Sequence, residues 1–265
     1  MADMPDRRFG EEGGQLSYGS YLRLAELLAQ QVPESDPPAH DELLFITVHQ
    51  VYELWFKVLL HELETARDHL LNGDDLWTPR HLLDRVTTIE RVLVEQIDII
   101  ETMTPQDFLV FRSYLAPASG FQSVQFREVE FISGLKDAKY LDRLHDATSD
   151  EKQRLQRRLD EPTVWDGYVA AVKRAGLPVD READLRESLR TIALDRAQYG
   201  ALWDLAEALL SHDEAAASWR ARHVTMVERQ IGRKSGTGGS TGAPYLHSRI
   251  GLRFFPALWD LRTWL

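Results

Sequence analysis

The chain has 265 residues, 43% of them hydrophobic, with a formal net charge of -11 and no cysteine. That apolar content can bury a substantial core, the acidic balance argues against a nucleic-acid partner, and the missing thiols exclude disulfides, thiolate-held metals and iron–sulfur clusters. The opening MADMPDRRFG lacks the apolar centre of a signal peptide, and no uninterrupted apolar run approaches the roughly 20 residues that span a bilayer. A soluble cytoplasmic protein with no membrane partner is expected.

In chain order, helical hydrophobic periodicity predicts helices over about 20–31, 41–71, 79–102, 105–115, 121–134, 149–159, 163–175, 183–211 and 213–231. Strand-like alternation is scarce, and Pro and Gly fall mostly between these segments. Thr104-Pro105-Gln106-Asp107 reads as a helix start, with a hydroxyl cap, proline at the first helical position and an acid in the first turn. Pro117 and Gly120 break the chain after that helix. The charged stretch from about 136 to 160 reads as an excursion on the outside of the fold. The prediction is one all-α domain over 1–265.

KSGTGGSTG (234–242) raises a separate question. Its glycines and hydroxyls suggest a phosphate loop, but Lys234 and Ser235 precede the dense glycines and no strand leads into it. A flexible linker is the plain alternative.

Three polar residues stand in apolar stripes. Phe45, His49, Tyr52 and Phe56 fall at i, i+4, i+7 and i+11, on one helical face. Phe108, Arg112 and Leu115 share a second face, and Trp219, His223, Met226 and Val227 a third. Arg220, Arg222, Glu228 and Arg229 are expected to point mostly away from that third face. Each histidine could be a core residue bonded to a carbonyl, and Arg112 could pair with a structural carboxylate or fork a ligand anion. Two such histidines and an arginine on three separate helices begin to describe a site. No Glu stands three residues before any of the nine histidines, and His-Glu-x-x-His is absent, which weighs against di-iron and zinc-protease chemistry. A haem b needs only one protein ligand, so a histidine-held haem is permitted without being required.

The chain resembles the tryptophan 2,3-dioxygenases in HDELLFITVHQVYELWFK (40–57), FRSYLAPASGFQSVQFRE (111–128) and RHVTMVERQIGRKSGTGGSTG (222–242). LSYGSYLRL (16–24) and RFFPALWDLRTWL (253–265) fit less tightly. The resemblance implies an all-helical enzyme with ferrous haem b and O₂, inserting both oxygen atoms across the indole C2–C3 bond of L-tryptophan to give N-formylkynurenine. It implies His223 as the axial iron ligand, with Trp219 and Ser119 beside the cofactor. It assigns His49 to the indole N–H, Arg112 to the substrate carboxylate, and Phe45, Phe108 and Leu115 to the indole pocket. Ser119 also borders the substrate, and Thr237 meets its amino-acid end. A homotetramer built as a dimer of dimers is implied, in which the segment of about 1–31 brings Tyr18, Tyr21 and Leu22 to a neighbouring subunit's site. The glycine loop becomes a lid expected to order over the ligand. Plain rivals stand beside these roles: core packing for the apolar residues, a terminal staple for the tyrosines, a turn cap for Ser119. Three rival functions stand beside the dioxygenase reading: a homologous haem monooxygenase making an oxindole, a non-catalytic haem sensor, and a helical interaction protein with no cofactor. Arg112 weighs against the sensor, because O₂ alone needs no carboxylate clamp.

Overall fold

The computed structural model describes residues 16–144, 147–238 and 242–265, which are helical with no strand among them. Two single turns come first, α1 (Tyr18–Tyr21) and α2 (Leu24–Leu27), in place of the one helix expected over 20–31. Arg23 between them sits at φ 52°, a left-handed backbone that a helix cannot run through.

α3 (Glu42–Asn72) is the central helix. It buries Phe56, Leu59, Leu60, Leu63, Ala66 and Leu70, a stripe at three- and four-residue spacing. By length and composition alone it could cross a membrane, with a window of mean hydropathy 1.4. Its buried stripe instead faces α4 (Trp77–Ile100), α6 (Val124–Ser133) and α8 (Val164–Arg174). Gly167 lets α8 cross closely: a Cβ there would lie 2.9 Å from Leu70 Cβ and 3.2 Å from the Arg67 carbonyl.

α5 (Pro105–Phe111) starts as expected, with Thr104 and Asp107 capping each other, but ends sooner. The chain tightens into a 3₁₀ turn over Arg112–Leu115, then passes Pro117. The stretch after α6 is less peripheral than its charge suggested. Tyr140 in a 3₁₀ turn and Leu155 in α7 (Ser149–Asp160) are buried with Val124, Phe131 and Leu144, while residues 145–146 lie outside the described chain.

The expected break near 212 is absent. α9 (Glu182–Leu194) ends at Asp195, which caps α10 (Arg196–Ile231) through the Gln198 N–H. His212 and Asp213 lie fully buried in mid-helix, held by distant partners, although Asp213 Oδ1 has none among the described residues. Ser133 donates its hydroxyl to the Val129 carbonyl, so it must accept from His212 Nε2 at 2.9 Å, while His212 Nδ1 lies 2.9 Å from Glu90 Oε1. Asp213 Oδ2 accepts the Phe254, Phe255 and Trp259 N–H groups at 2.9, 3.0 and 2.9 Å. That carboxylate docks two elements the periodicity did not anticipate, α11 (Ala243–Ile250) and α12 (Pro256–Trp264), by fixing the segment between them.

Candidate active site

A cavity of about 300 Å³ opens between α3, α5, α6, α10 and α11. His49, Phe108, Arg112, Ser119, Trp219, His223 and Thr237 all line it. Phe45 and Leu115 lie just behind, in an apolar cluster with Val48, Phe108 and Phe111. Tyr18, Tyr21 and Leu22 stand on the surface of their own chain.

α3 supplies the first wall. His49 Nδ1 lies 2.7 Å from the Phe45 carbonyl one turn back; a carbonyl only accepts, so Nδ1 carries the proton. The neutral ring's Nε2 is then left as an acceptor. Burial lowers the His49 pKa, against the opposing pull of that carbonyl and of Glu53. The ring keeps accessible surface because it borders the cavity, yet the protein on its other sides desolvates the charged form. Phe45 packs 4.1 Å from the His49 ring and 5.6 Å from Phe108, centroid to centroid.

α10 supplies the opposing chemistry. His223 stacks on Trp219 at 4.9 Å with planes 8° apart. Neither ring nitrogen has a hydrogen-bond partner among the described residues. Burial, then the nearby His49, pushes the His223 imidazole down to about 4, so it is neutral at pH 7. Tyr52 braces Trp219 edge-on at 6.2 Å and donates to the Leu93 carbonyl at 2.7 Å; burial pushes its hydroxyl up to about 12. No three His, Asp or Glu side chains among the described residues converge to hold a bare metal ion.

The mouth is formed by two loops. Arg112 Nη2 donates to the Ser235 carbonyl at 2.5 Å, and the guanidinium's other N–H groups have no partner among the described residues. Thr237 donates its hydroxyl to the Ala118 carbonyl at 2.6 Å. Gly238 lies so close to the 117–119 turn that a Cβ would meet Ser119 Cβ at 2.5 Å. The described part of the glycine loop is therefore laid across the cavity; residues 239–241 lie outside the described chain.

Three cavity residues escaped the periodicity. Arg220 was expected off the packed face but is buried and lines the cavity with Arg127 of α6 and Arg249 of α11. All three guanidinium groups converge on one buried carboxylate, Glu130: Arg127 pairs with it directly, and Arg249 and Arg220 lie 3.6 and 3.8 Å away. The sequence signal was weak, since Arg222 and Arg229 on the same helix do turn outward, to Glu101 of α4's C-terminus.

Comparison with known proteins places this geometry. A sequence profile described as tryptophan 2,3-dioxygenase matches residues 2–183 and 179–265. A protein named tryptophan 2,3-dioxygenase from Nocardioides sp. (strain ATCC BAA-499 / JS614) is 62% identical over 258 residues, covering 96% of this chain and 97% of its own length. Relatives of the same name from Herpetosiphon aurantiacus and Myxococcus xanthus are 45% and 39% identical, each covering 94% of this chain and 98% and 90% of their own lengths. The chain belongs to the tryptophan 2,3-dioxygenase family.

Proposed function

We propose that this chain is a haem-dependent dioxygenase that inserts both atoms of O₂ across the indole C2–C3 bond of L-tryptophan, giving N-formylkynurenine. The observation that carries this reading is His223, a neutral imidazole with no hydrogen-bond partner among the described residues, on the wall of a cavity that His49 and Arg112 also line. An imidazole at a cavity wall with no protein partner for its nitrogens is free to take a ligand there. The other lining fits a flat apolar macrocycle: Phe56, Phe126, Val224 and Val227 share the cavity with His223. His223 would hold the iron, with Trp219 and Ser119 beside the ring, and bound ferrous haem would supply the oxygen chemistry.

The protein's own part is to bind and orient. Burying an indole of roughly 150–250 Å² at about 25 cal/mol/Å² offers on the order of 4–6 kcal/mol before costs. Phe108 supplies apolar surface on the cavity wall, with Phe45 and Leu115 packed behind it. His49 Nε2 accepts the indole N–H. It serves as an acceptor rather than a strong base, because burial lowers its basicity and the indole N–H is a very weak acid. Arg112 forks the substrate carboxylate, Thr237 meets the amino-acid end, and the loop that carries Thr237 keeps water out. Reducing the haem-loaded protein without oxygen, then adding tryptophan and O₂, tests the reading: the product gains two oxygens and the absorbance of N-formylkynurenine. A product one oxygen heavier, or none, overturns it.

The same reading extends to assembly. The chain is one domain over 1–265 in a cytoplasmic homotetramer, a dimer of dimers, whose segment 1–31 docks on a neighbour and completes that subunit's site. Tyr18 and Tyr21, 78% and 72% exposed, together with Leu16, Leu22 and Leu28, form an apolar strip that one chain leaves uncovered, which supports this; residues 1–15 lie outside the described chain. Neither membrane nor nucleic acid enters as a partner. Sedimentation of the intact chain at four times the 30.4 kDa protomer mass is the expected outcome, and a monomer at working concentration refutes it.

A further inference from the structure

Glu53 is a carboxylate on the cavity wall to which the chemistry above gives no task. It stands on α3, one turn after His49. An acid in a mostly apolar wall needs donors, and both of its oxygens have one. Oε1 accepts the Ser123 hydroxyl at 2.6 Å, and Oε2 accepts the Gln125 side-chain amide at 2.8 Å. The same amide donates to the Glu53 carbonyl at 2.9 Å, so Gln125 grips Glu53 twice. Ser123 is oriented from behind, since its oxygen accepts the Phe126 N–H as the cap of α6. A glutamine at this position would offer one acceptor oxygen where two donors arrive, so the acid is what the pair requires.

This clamp reaches the substrate end of the cavity through one short turn. The Ser123 N–H donates to the Gly120 carbonyl, the Gln122 N–H to the Ser119 carbonyl, and the Ser119 N–H to Gln122 Oε1, which makes 119–123 a single unit. Thr237 rests at the edge of that unit through the Ala118 carbonyl, and Gly238 lies against Ser119. Elsewhere α6 lies on α3 by apolar packing, with the Phe126 ring centroid 5.5 Å from that of Phe56. Losing the clamp therefore frees the turn and leaves the helix docked. We propose that Glu53 is a positioning residue for the reaction: it fixes the seat of Thr237 relative to His49, so that the amino-acid end and the indole N–H of one substrate are held at a set separation. This rests on the tryptophan reading above. A substrate seated slightly out of place still buries its indole, so it binds nearly as tightly and reacts more slowly.

The test uses the full-length, haem-loaded protein carrying Glu53→Ala, Gln125→Leu or both, with Glu53→Gln as the conservative variant. Glu53→Ala is expected to lower kcat for L-tryptophan about tenfold or more, while KM changes by less than about threefold. Glu53→Gln, which keeps one acceptor, is expected to fall between it and the wild type. Because the two residues act through one clamp, the double variant is expected to be no worse than Glu53→Ala alone. Amide hydrogen exchange gives a readout apart from turnover. Gln122 and Ser123, whose N–H groups are bonded within the turn, are expected to exchange several-fold faster in Glu53→Ala, and the buried amides of α10 are not. A merely structural glutamate would lower the melting temperature and speed exchange throughout with kcat unmoved, and that result overturns the proposal. So does a wild-type kcat despite faster exchange of the turn, and so do losses that add in the double variant. A wild-type chain that yields no N-formylkynurenine strikes the tryptophan reading instead, and the exchange data still show whether the clamp holds.

Discussion

Arg112→Met separates binding of the substrate's carboxylate from everything else the cavity does. The substitution keeps an unbranched apolar stem and removes every donor. In the structure Arg112 spends one N–H on the Ser235 carbonyl and leaves the rest of its fork for the cavity. Losing a charge-assisted bond costs about 1.5–3 kcal/mol, which weakens L-tryptophan binding about 10- to 150-fold. Tryptamine, which has the indole and the ammonium but no carboxylate, is the control: its affinity is expected to change only through the loosened loop. Binding is read from the tryptophan-induced shift of the Soret band in the haem-loaded protein. Haem content is expected to match the wild type, since Arg112 is on a 3₁₀ turn and His223 on α10. Equal affinity of the two proteins for L-tryptophan refutes the assignment, and an equal loss for tryptamine shows that only the loop tether matters.

His223→Ala is expected to abolish stoichiometric haem retention, measured by the ratio of Soret to protein absorbance; an unaltered haem spectrum contradicts the axial role. Gly238→Ala places a Cβ 2.5 Å from Ser119 Cβ and 3.3 Å from the Pro117 carbonyl, so the loop must lift. Several-fold weaker tryptophan binding at an unchanged melting temperature is expected, and unchanged binding would mean the loop does not seat there. In the haem-free chain, the lowered pKa of His223 makes stability depend on pH. The unfolded imidazole takes a proton near its usual 6.5 and the folded one only near 4, so stability is lost as pH falls from 6.5 towards 4, by up to about 3 kcal/mol. A flatter pH dependence of melting in His223→Leu is expected, and an identical slope would count against the buried neutral ring.

His49, Arg112 and His223 were legible in the sequence for one reason. Each is a polar residue at a position where helical spacing demands an apolar one, a conflict that a buried carbonyl, a structural carboxylate or a ligand can resolve; the resemblance, not the spacing, assigned their roles. Arg220 was not legible, because its surroundings come from α6 and α11, distant in sequence, and nothing local separates it from Arg222. Long-range partners also hid the continuity of α10. His212-Asp213 reads locally as a polar interruption, and only the Glu90, Ser133 and Phe254–Phe255 contacts make it core. α11 was masked by the glycine run before it: a short helix behind flexible composition offers too few turns for periodicity to register.

The glycine loop and Arg112 belong to one device. The guanidinium that would hold the substrate carboxylate already holds the loop through Ser235, and the loop's own Thr237 is pinned to the turn before Ser119. On the proposed reading, a carboxylate arriving at Arg112 would neutralise the charge beside that tether, so substrate binding and the seating of the loop would share an interaction. Glycine at 238 follows from the same closeness, since a Cβ there would lie 2.5 Å from Ser119 Cβ; at 242 a Cβ would lie 2.6 Å from the loop's own Lys234 carbonyl, and the backbone φ of +70° favours glycine besides. The composition that first suggested a phosphate cradle is thus what a closely fitting cover requires. A loop built this way should release a substrate without a carboxylate faster than one with it, even where both bury the same indole.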